Sequence, residues 1–203
     1  MAMALPVAAQ DLDSAMYVLR LGADTVAIER WTWNADSLHV VAVTRSPRTL
    51  VQRYVVRFDD AGRVVNMSTG AQGPVPTTSD GAVPIVGGTY APYAIAVWHA
   101  MRSTAPETTV AMLSGSRRRG VAVRRISARE YALPNQLDEQ LRVEVESDGT
   151  VAAIDAGGGR ALERVEPFDF EALTREFAAR DRNGAAPARR PTRRDPVPSR
   201  AVR

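Results

Sequence analysis

The stretch MYVLRLGADTVAIERWTWN, residues 16–34, alternates its side chains with a period of two on both sides of a Gly22-Ala23-Asp24 turn. A period of two sends successive side chains to opposite faces of a strand, so this pattern commits a chain to sheet and not to a helical bundle. The pattern recurs over 38–44, 49–58 and 63–67, separated by Asn34-Ala35-Asp36-Ser37, by the interruption Ser46-Pro47-Arg48 and by Asp59-Asp60-Ala61-Gly62. Returns this short make sequential antiparallel pairing the expected topology. Further strands are predicted over 109–113, 121–127, 141–146 and 151–155, the last two joined by an Asp148-Gly149 turn.

Two segments break the period. Residues 90–103 put Pro92 in a first helical turn and repeat Ile95, Trp98 and then Met101 or Arg102 at helical spacing, which predicts a short helix lying on the sheet. Residues 167–181 predict a second helix with Asp169 as N-cap, Glu171 in the first turn and Leu173 and Phe177 four apart, ending near Asn183-Gly184. Residues 70–84 hold three prolines and three glycines, so they read as a surface loop or a crossing and not as a central strand. The expected fold is mainly β (α+β): a curved antiparallel meander of about nine strands, half-barrel-like, with one helix packed on it and a C-terminal helix.

At 203 residues and 45% hydrophobic content the chain can bury one substantial core. The expected division is a single domain over 10–184, preceded by 1–9 and followed by an Arg- and Pro-rich tail over 185–203 with little to bury, which should be disordered. Val7-Ala8-Ala9 ahead of Gln10-Asp11 fits the small-x-small rule for signal peptidase, so 1–9 reads as the end of a signal peptide and the location as periplasmic or secreted.

Charge and composition exclude several chemistries. All 26 basic residues are arginine, and seven of them follow Asp181 against a single acid, so the body is mildly acidic and offers no footprint for nucleic acid. The absence of cysteine removes disulfides, thiolate catalysis and thiolate-bound metal. No run approaches the roughly 20 apolar residues of a transmembrane helix.

Candidate chemistry is sparse. His39 and His99 stand alone, without an HxH, HxxxH or HxxE spacing for a metal. Ser114 and Ser116 lack the Gly-x-Ser-x-Gly elbow of a nucleophile. Gly157-Gly158-Gly159 lacks the spacing and the lysine of a phosphate loop and reads as a break between the last strand and the closing helix. The carboxylate pairs Asp155 with Glu163 and Glu144 with Glu146 fit the solvated face of a sheet better than an acid/base dyad. Two clusters remain. Arg117, Arg118, Arg119, Arg124, Arg125 and Arg129 form an expected contact for an anion, either a headgroup or a carboxylate. Trp31 and Trp33 share one strand face with Ala27 and Glu29, with Val26 and Ile28 on the other; the two indoles either plug the concave side of the sheet or, with Trp98, line a site for an apolar ligand.

A long antiparallel meander entered from a signal peptide, interrupted by one helix and closed by another, resembles the bacterial periplasmic half-barrels typified by the carrier and receptor proteins of the outer-membrane lipoprotein pathway. The phrases LGADTVAIERW, SPRT and GGTYAPY are also similar to those of secreted β-domains in GC-rich soil bacteria. The resemblance covers residues 16–181 and implies a curved sheet whose concave face can hold an acyl chain; it carries no functional residue over by position. The expected function is a periplasmic or secreted non-catalytic binding or scaffold domain of unknown ligand, needing no cofactor, with either a lipid or other apolar small molecule or a protein as its partner. The alternatives are a carrier that shields a lipid or other apolar molecule, and a hydrolase built on carboxylates or Ser114 and Ser116.

Overall fold

The computed structural model describes residues 13–45, 48–69, 72–76 and 81–184. The expected signal segment 1–9, the tail 185–203, Ser46-Pro47 and parts of the 70–84 loop lie outside the described residues. The described residues form one sheet and two helices: β1 (Asp13–Leu21), β2 (Asp24–Asn34), β3 (Ser37–Arg45), β4 (Thr49–Phe58), β5 (Val64–Thr69), β6 (Gln72–Pro76), β7 (Val83–Pro84), α1 (Ala91–Met101), β8 (Glu107–Ser114), β9 (Arg117–Arg125), β10 (Glu130–Pro134), β11 (Gln140–Val145), β12 (Val151–Asp155), β13 (Arg160–Val165) and α2 (Phe170–Gly184). The mainly β architecture and both helices match the reading of the sequence.

The strand count does not. The nine expected strands are joined by β6, β7, β10 and β13, giving thirteen in the order β6-β5-β4-β3-β2-β1-β13-β12-β11-β10-β9-β8-β7. Every pairing is antiparallel except β7 with β8. β6 carries Pro74 and Pro76 on a sheet edge, where a missing N–H costs no ladder bond, so a proline-rich segment can still be a strand. Gly157-Gly158-Gly159 is not a break before the helix but a turn between β12 and β13, with all three residues at positive φ. The strand after that turn pairs with both β12 and β1 and so stitches the two meanders into one sheet.

Chain length dictates the curvature. A flat thirteen-stranded sheet is roughly 58 Å wide at 4.8 Å per strand. Its two edge strands, β6 and β7, are separated in sequence by residues 77–82 alone, which reach about 25 Å at full extension. The sheet therefore bends until its edges approach, past the expected half-barrel and nearly into a barrel.

Each face has its own core. The inner face packs Tyr17, Trp31, Leu38, Val56, Met112, Leu133, Leu141 and Leu162 with α1 in one continuous cluster. The outer face is covered over β1–β3 by α2, where Val18, Ile28 and Val43 meet Phe170 and Phe177. Asp169 caps α2 as expected, accepting from the Ala172 N–H at 2.8 Å. On β2, Ala27 and Trp31 face inward and Ile28 outward as the alternation requires. Val26 does not follow it: the β1–β2 register slips so that Leu19 pairs Ala27 while Arg20 pairs Thr25, and the extra residue packs against the inner cluster.

Candidate functional site

The inner face is the natural place to seek a ligand, and α1 occupies it. The helix does not lie on the sheet with one apolar side, as its sequence suggested; Ala91, Pro92, Tyr93, Ala94, Ile95, Ala96, Val97 and Ala100 are all buried, which encloses it on nearly every side. It packs on β7, β8 and β9 and reaches across to the aromatic side chains of β2 and β4.

An enclosed helix must still satisfy the backbone groups at its ends. At the N-terminus Tyr90 supplies no side-chain cap and the first turn holds no acid. Pro92 has no N–H, and the Tyr93 N–H bonds the Tyr90 carbonyl at 3.0 Å, so the N–H groups of Tyr90 and Ala91 are left. Both find Glu29 of β2: its Oε1 accepts from the Tyr90 N–H at 2.9 Å, and Ala91 donates to the same carboxyl. Its Oε2 accepts from Trp31 Nε1 at 2.6 Å. Glu29 is 0% exposed. Burial pushes its pKa from 4.5 up to about 7, against the hydrogen bonds from Trp31, Tyr90 and Ala91, which pull it down. Tyr54 of β4 lies close by, its hydroxyl 2.9 Å from Thr89 Oγ1, and burial together with the Glu29 charge holds it well above the usual phenol range.

At the other end Arg125 of β9 donates from Nη2 to the Ser103 carbonyl at 2.7 Å and approaches the Ala100 carbonyl at 3.5 Å. The helix thus has a carboxyl at its N-terminus and a guanidinium at its C-terminus, the arrangement its dipole favours. Here too the aromatic residues gather. Trp33 and Phe58 stack at 5.9 Å, Trp98 lies 6.0 Å and 5.5 Å from them, and the Arg102 guanidinium sits 5.0 Å over the Trp98 ring.

The three tryptophans therefore differ. Trp31 is 1% exposed, packs on Tyr17 with ring centres 4.0 Å apart and fills space rather than lining it. Trp33 and Trp98 are half-buried at the aromatic end of α1. Sequence reasoning placed Glu29 correctly on the tryptophan face and then gave it no role. The signal was there: a carboxylate whose parity puts it among Ala27, Trp31 and Trp33 has to be exposed or paired.

The arginines expected to act together are divided by the same alternation. Arg119 and Arg125 share the parity of buried Val121 and Val123, whereas Arg118 and Arg124 share the outer parity of Ala122. Arg119 pairs Asp138 at 2.8 Å, Arg124 pairs Glu107 at 3.5 Å, and Arg125 is committed to α1. Arg117 is exposed where β8 and β9 meet, opposite Ser114. Ser114 and Ser116 are exposed at that turn. His39 is exposed on the outer face, opposite Thr32 and Val55, while His99 is half-buried in α1, so the two never meet. Glu144 is solvated between buried Val143 and Val145, and Glu163 pairs Arg20 at 3.7 Å. Among the described residues no group of three His, Asp or Glu side chains could hold a metal ion, and no helix is long and apolar enough to cross a membrane.

Two shallow grooves lie on the outer face of the described residues. One of about 510 Å³ lies beside α2 between Ser14, Arg30, Thr32 and His39, and another of about 330 Å³ crosses β8–β11 between Glu107, Arg124, Ala132 and Arg142. Set against family models, curated proteins and solved structures, the chain matches none.

Proposed function

We propose that this chain is a non-catalytic binding or scaffold domain of the bacterial periplasm or exterior that works through its outer surface on a protein partner. The observation that carries this reading is the occupation of the inner face by α1, with both helix ends met by side chains of the sheet. A site that holds a small ligand needs a concave apolar pocket with a few converging polar groups. Here the inward polar groups Glu29 and Arg125 are committed to opposite ends of the protein's own helix. The lipid-carrier alternative requires α1 to yield its place to an acyl chain, with Trp33 and Trp98 at the mouth.

Native mass spectrometry of the full chain purified from a bacterial periplasm tests the reading. The expected result is a clean apo mass and no uptake of added fatty acid or phospholipid. A co-purified lipid at stoichiometric mass refutes it and selects the carrier.

A further inference from the structure

Leu137 is 74% exposed, more than any other large apolar side chain among the described residues. It stands in the turn between β10 and β11, and that turn is held both from within and from three other elements. Asn135 Oδ1 accepts the N–H groups of Leu137 and Glu139 at 2.8 and 3.0 Å, and the Asn135 N–H donates to the Glu139 carbonyl at 2.8 Å. The Tyr93 hydroxyl of α1 accepts the Gln136 N–H at 3.2 Å, Arg119 of β9 holds Asp138 and the Asn135 carbonyl, and Arg160 of β13 pairs Glu139 at 2.7 Å. Asp138 is the one residue other than glycine with a positive φ, +60°, among the described residues. Such backbone persists where its surroundings fix it, and a side chain presented on a fixed backbone loses little entropy on binding.

The groove of about 330 Å³ on the outer face has the matching character. In one cross-strand row Arg124 of β9 pairs Ala132 of β10, and Ala132 pairs Arg142 of β11, so two guanidinium side chains flank a single methyl group. Ala122, Pro134 and Ile126, itself 48% exposed, add apolar lining. Arg124 meets Glu107 through Nε at 3.5 Å, and Arg142 meets Glu130 through Nη1 at 2.8 Å. A guanidinium carries five N–H donors, so each arginine keeps others for a further acceptor. α2 covers the outer face over β1–β3, whereas Ala122, Arg124, Ile126 and Arg142 are exposed.

We propose that this chain forms a two-fold dimer in which the Leu137-Asp138 turn of each protomer seats in the groove of its partner, Leu137 against Ala132 and Ile126, and Asp138 against the guanidinium groups of Arg124 and Arg142. The turn sets an apolar side chain next to a carboxylate that is 81% exposed and engaged through Oδ1. The groove sets an apolar floor next to two cations, so each feature is the complement of the other in both shape and charge. A second copy of this chain brings that complement with it.

The symmetry follows from where the two features sit. Pro134 ends β10 and Gln140 begins β11, so they flank the turn, and both also line the groove. Knob and socket are therefore neighbours on one hairpin, and a two-fold axis beside that hairpin makes both contacts at once, as an isologous interface requires. Two contacts of this size suit a transient dimer, with a Kd on the order of 10–100 µM. The pairing goes beyond the scaffold reading and is independent of it, because it involves neither a foreign partner nor the inner face.

The experiment is sedimentation velocity on the full chain from about 5 to 500 µM, a range that brackets that Kd. The expected result is a monomer that converts to a dimer as the concentration rises. Leu137→Asp weakens association at least about 30-fold, and the double variant Arg124→Glu with Arg142→Glu does the same from the other side. Val65→Asp, at an exposed apolar side chain on β5, leaves it unchanged. The knob variant and the groove variant, each monomeric alone, associate when mixed, because one intact knob then meets one intact groove. A monomer at every concentration, a dimer indifferent to Leu137→Asp, equal loss in Val65→Asp, or no association in the mixture each overturns the proposal. Should the double variant fail to fold, Asp138→Asn decides, since asparagine tolerates the left-handed backbone and removes the charge. A roughly 5-fold weaker dimer that has lost its salt dependence supports the seat between the arginines, and an unchanged dimer refutes it.

Discussion

Gly62→Ala tests whether the aromatic end of α1 is closed as tightly as the distances imply. Gly62 ends the β4–β5 turn at φ +75°, its N–H bonding the Asp59 carbonyl at 2.7 Å. A Cβ there would stand 2.1 Å from Arg102 Nη1 and 2.6 Å from Trp98 Cη2. The left-handed backbone costs alanine about 1 kcal/mol relative to glycine. Arg102 can swing away at the loss of its contact with the indole face, about 0.5–1 kcal/mol. Trp98 cannot retreat without pressing on Trp33 and Phe58, which adds about 1–3 kcal/mol of overpacking. The sum is about 2.5–5 kcal/mol. Gly22→Ala separates the backbone cost from the crowding, because Gly22 also has positive φ, +60°, but open space around it; that variant should lose about 1 kcal/mol. Urea unfolding followed by circular dichroism compares the two at equal m-value. If Gly62→Ala is no less stable than Gly22→Ala, the Trp98 end of the helix is loose and the plugged inner face loses its support.

Two further expectations follow from the same packing. Phe177→Ala should cost about 3 kcal/mol, since Phe177 is the fully buried anchor of α2 on Ile28 and Val43, whereas Leu50→Ala, at a side chain more than half exposed, should stay within about 0.5 kcal/mol; thermal unfolding of the pair checks both. Arg125→Met should destabilise by about 1–2 kcal/mol through the lost bond to the Ser103 carbonyl, while Arg124→Met, which gives up only a solvent-exposed pair with Glu107, should cost less than about 0.5 kcal/mol; equal losses in urea unfolding would mean that the arginines act as one patch.

What was legible in the sequence was whatever depends on neighbours in the chain. The period of two gave nine strands and the face on which Trp31, Trp33 and Glu29 lie, because alternation is a property of the extended backbone itself. Asp169 announced α2 because an N-cap acts within three residues. The missed strands are those whose pairing is decided elsewhere. β7 has two residues and exists only because β8 accepts it, and β13 sits after three glycines that a local reading takes for an ending.

The candidate site belongs to the same second category. Parity said which way Glu29 points but not what it meets, and its partner Tyr90 lies 61 residues away on a segment that reaches it only after the sheet has curled. Likewise six arginines within thirteen residues looked like one surface, yet the pleat turned Arg125 inward to the C-terminal end of α1 and left Arg124 in solvent. Local sequence determined the strands, their faces and one helix cap, because those are set by backbone geometry over a few residues. The bend that brings the two edges together, the helix enclosed within it and the buried carboxyl that receives that helix were decided by tertiary structure, because each depends on contacts between segments that the chain alone keeps far apart.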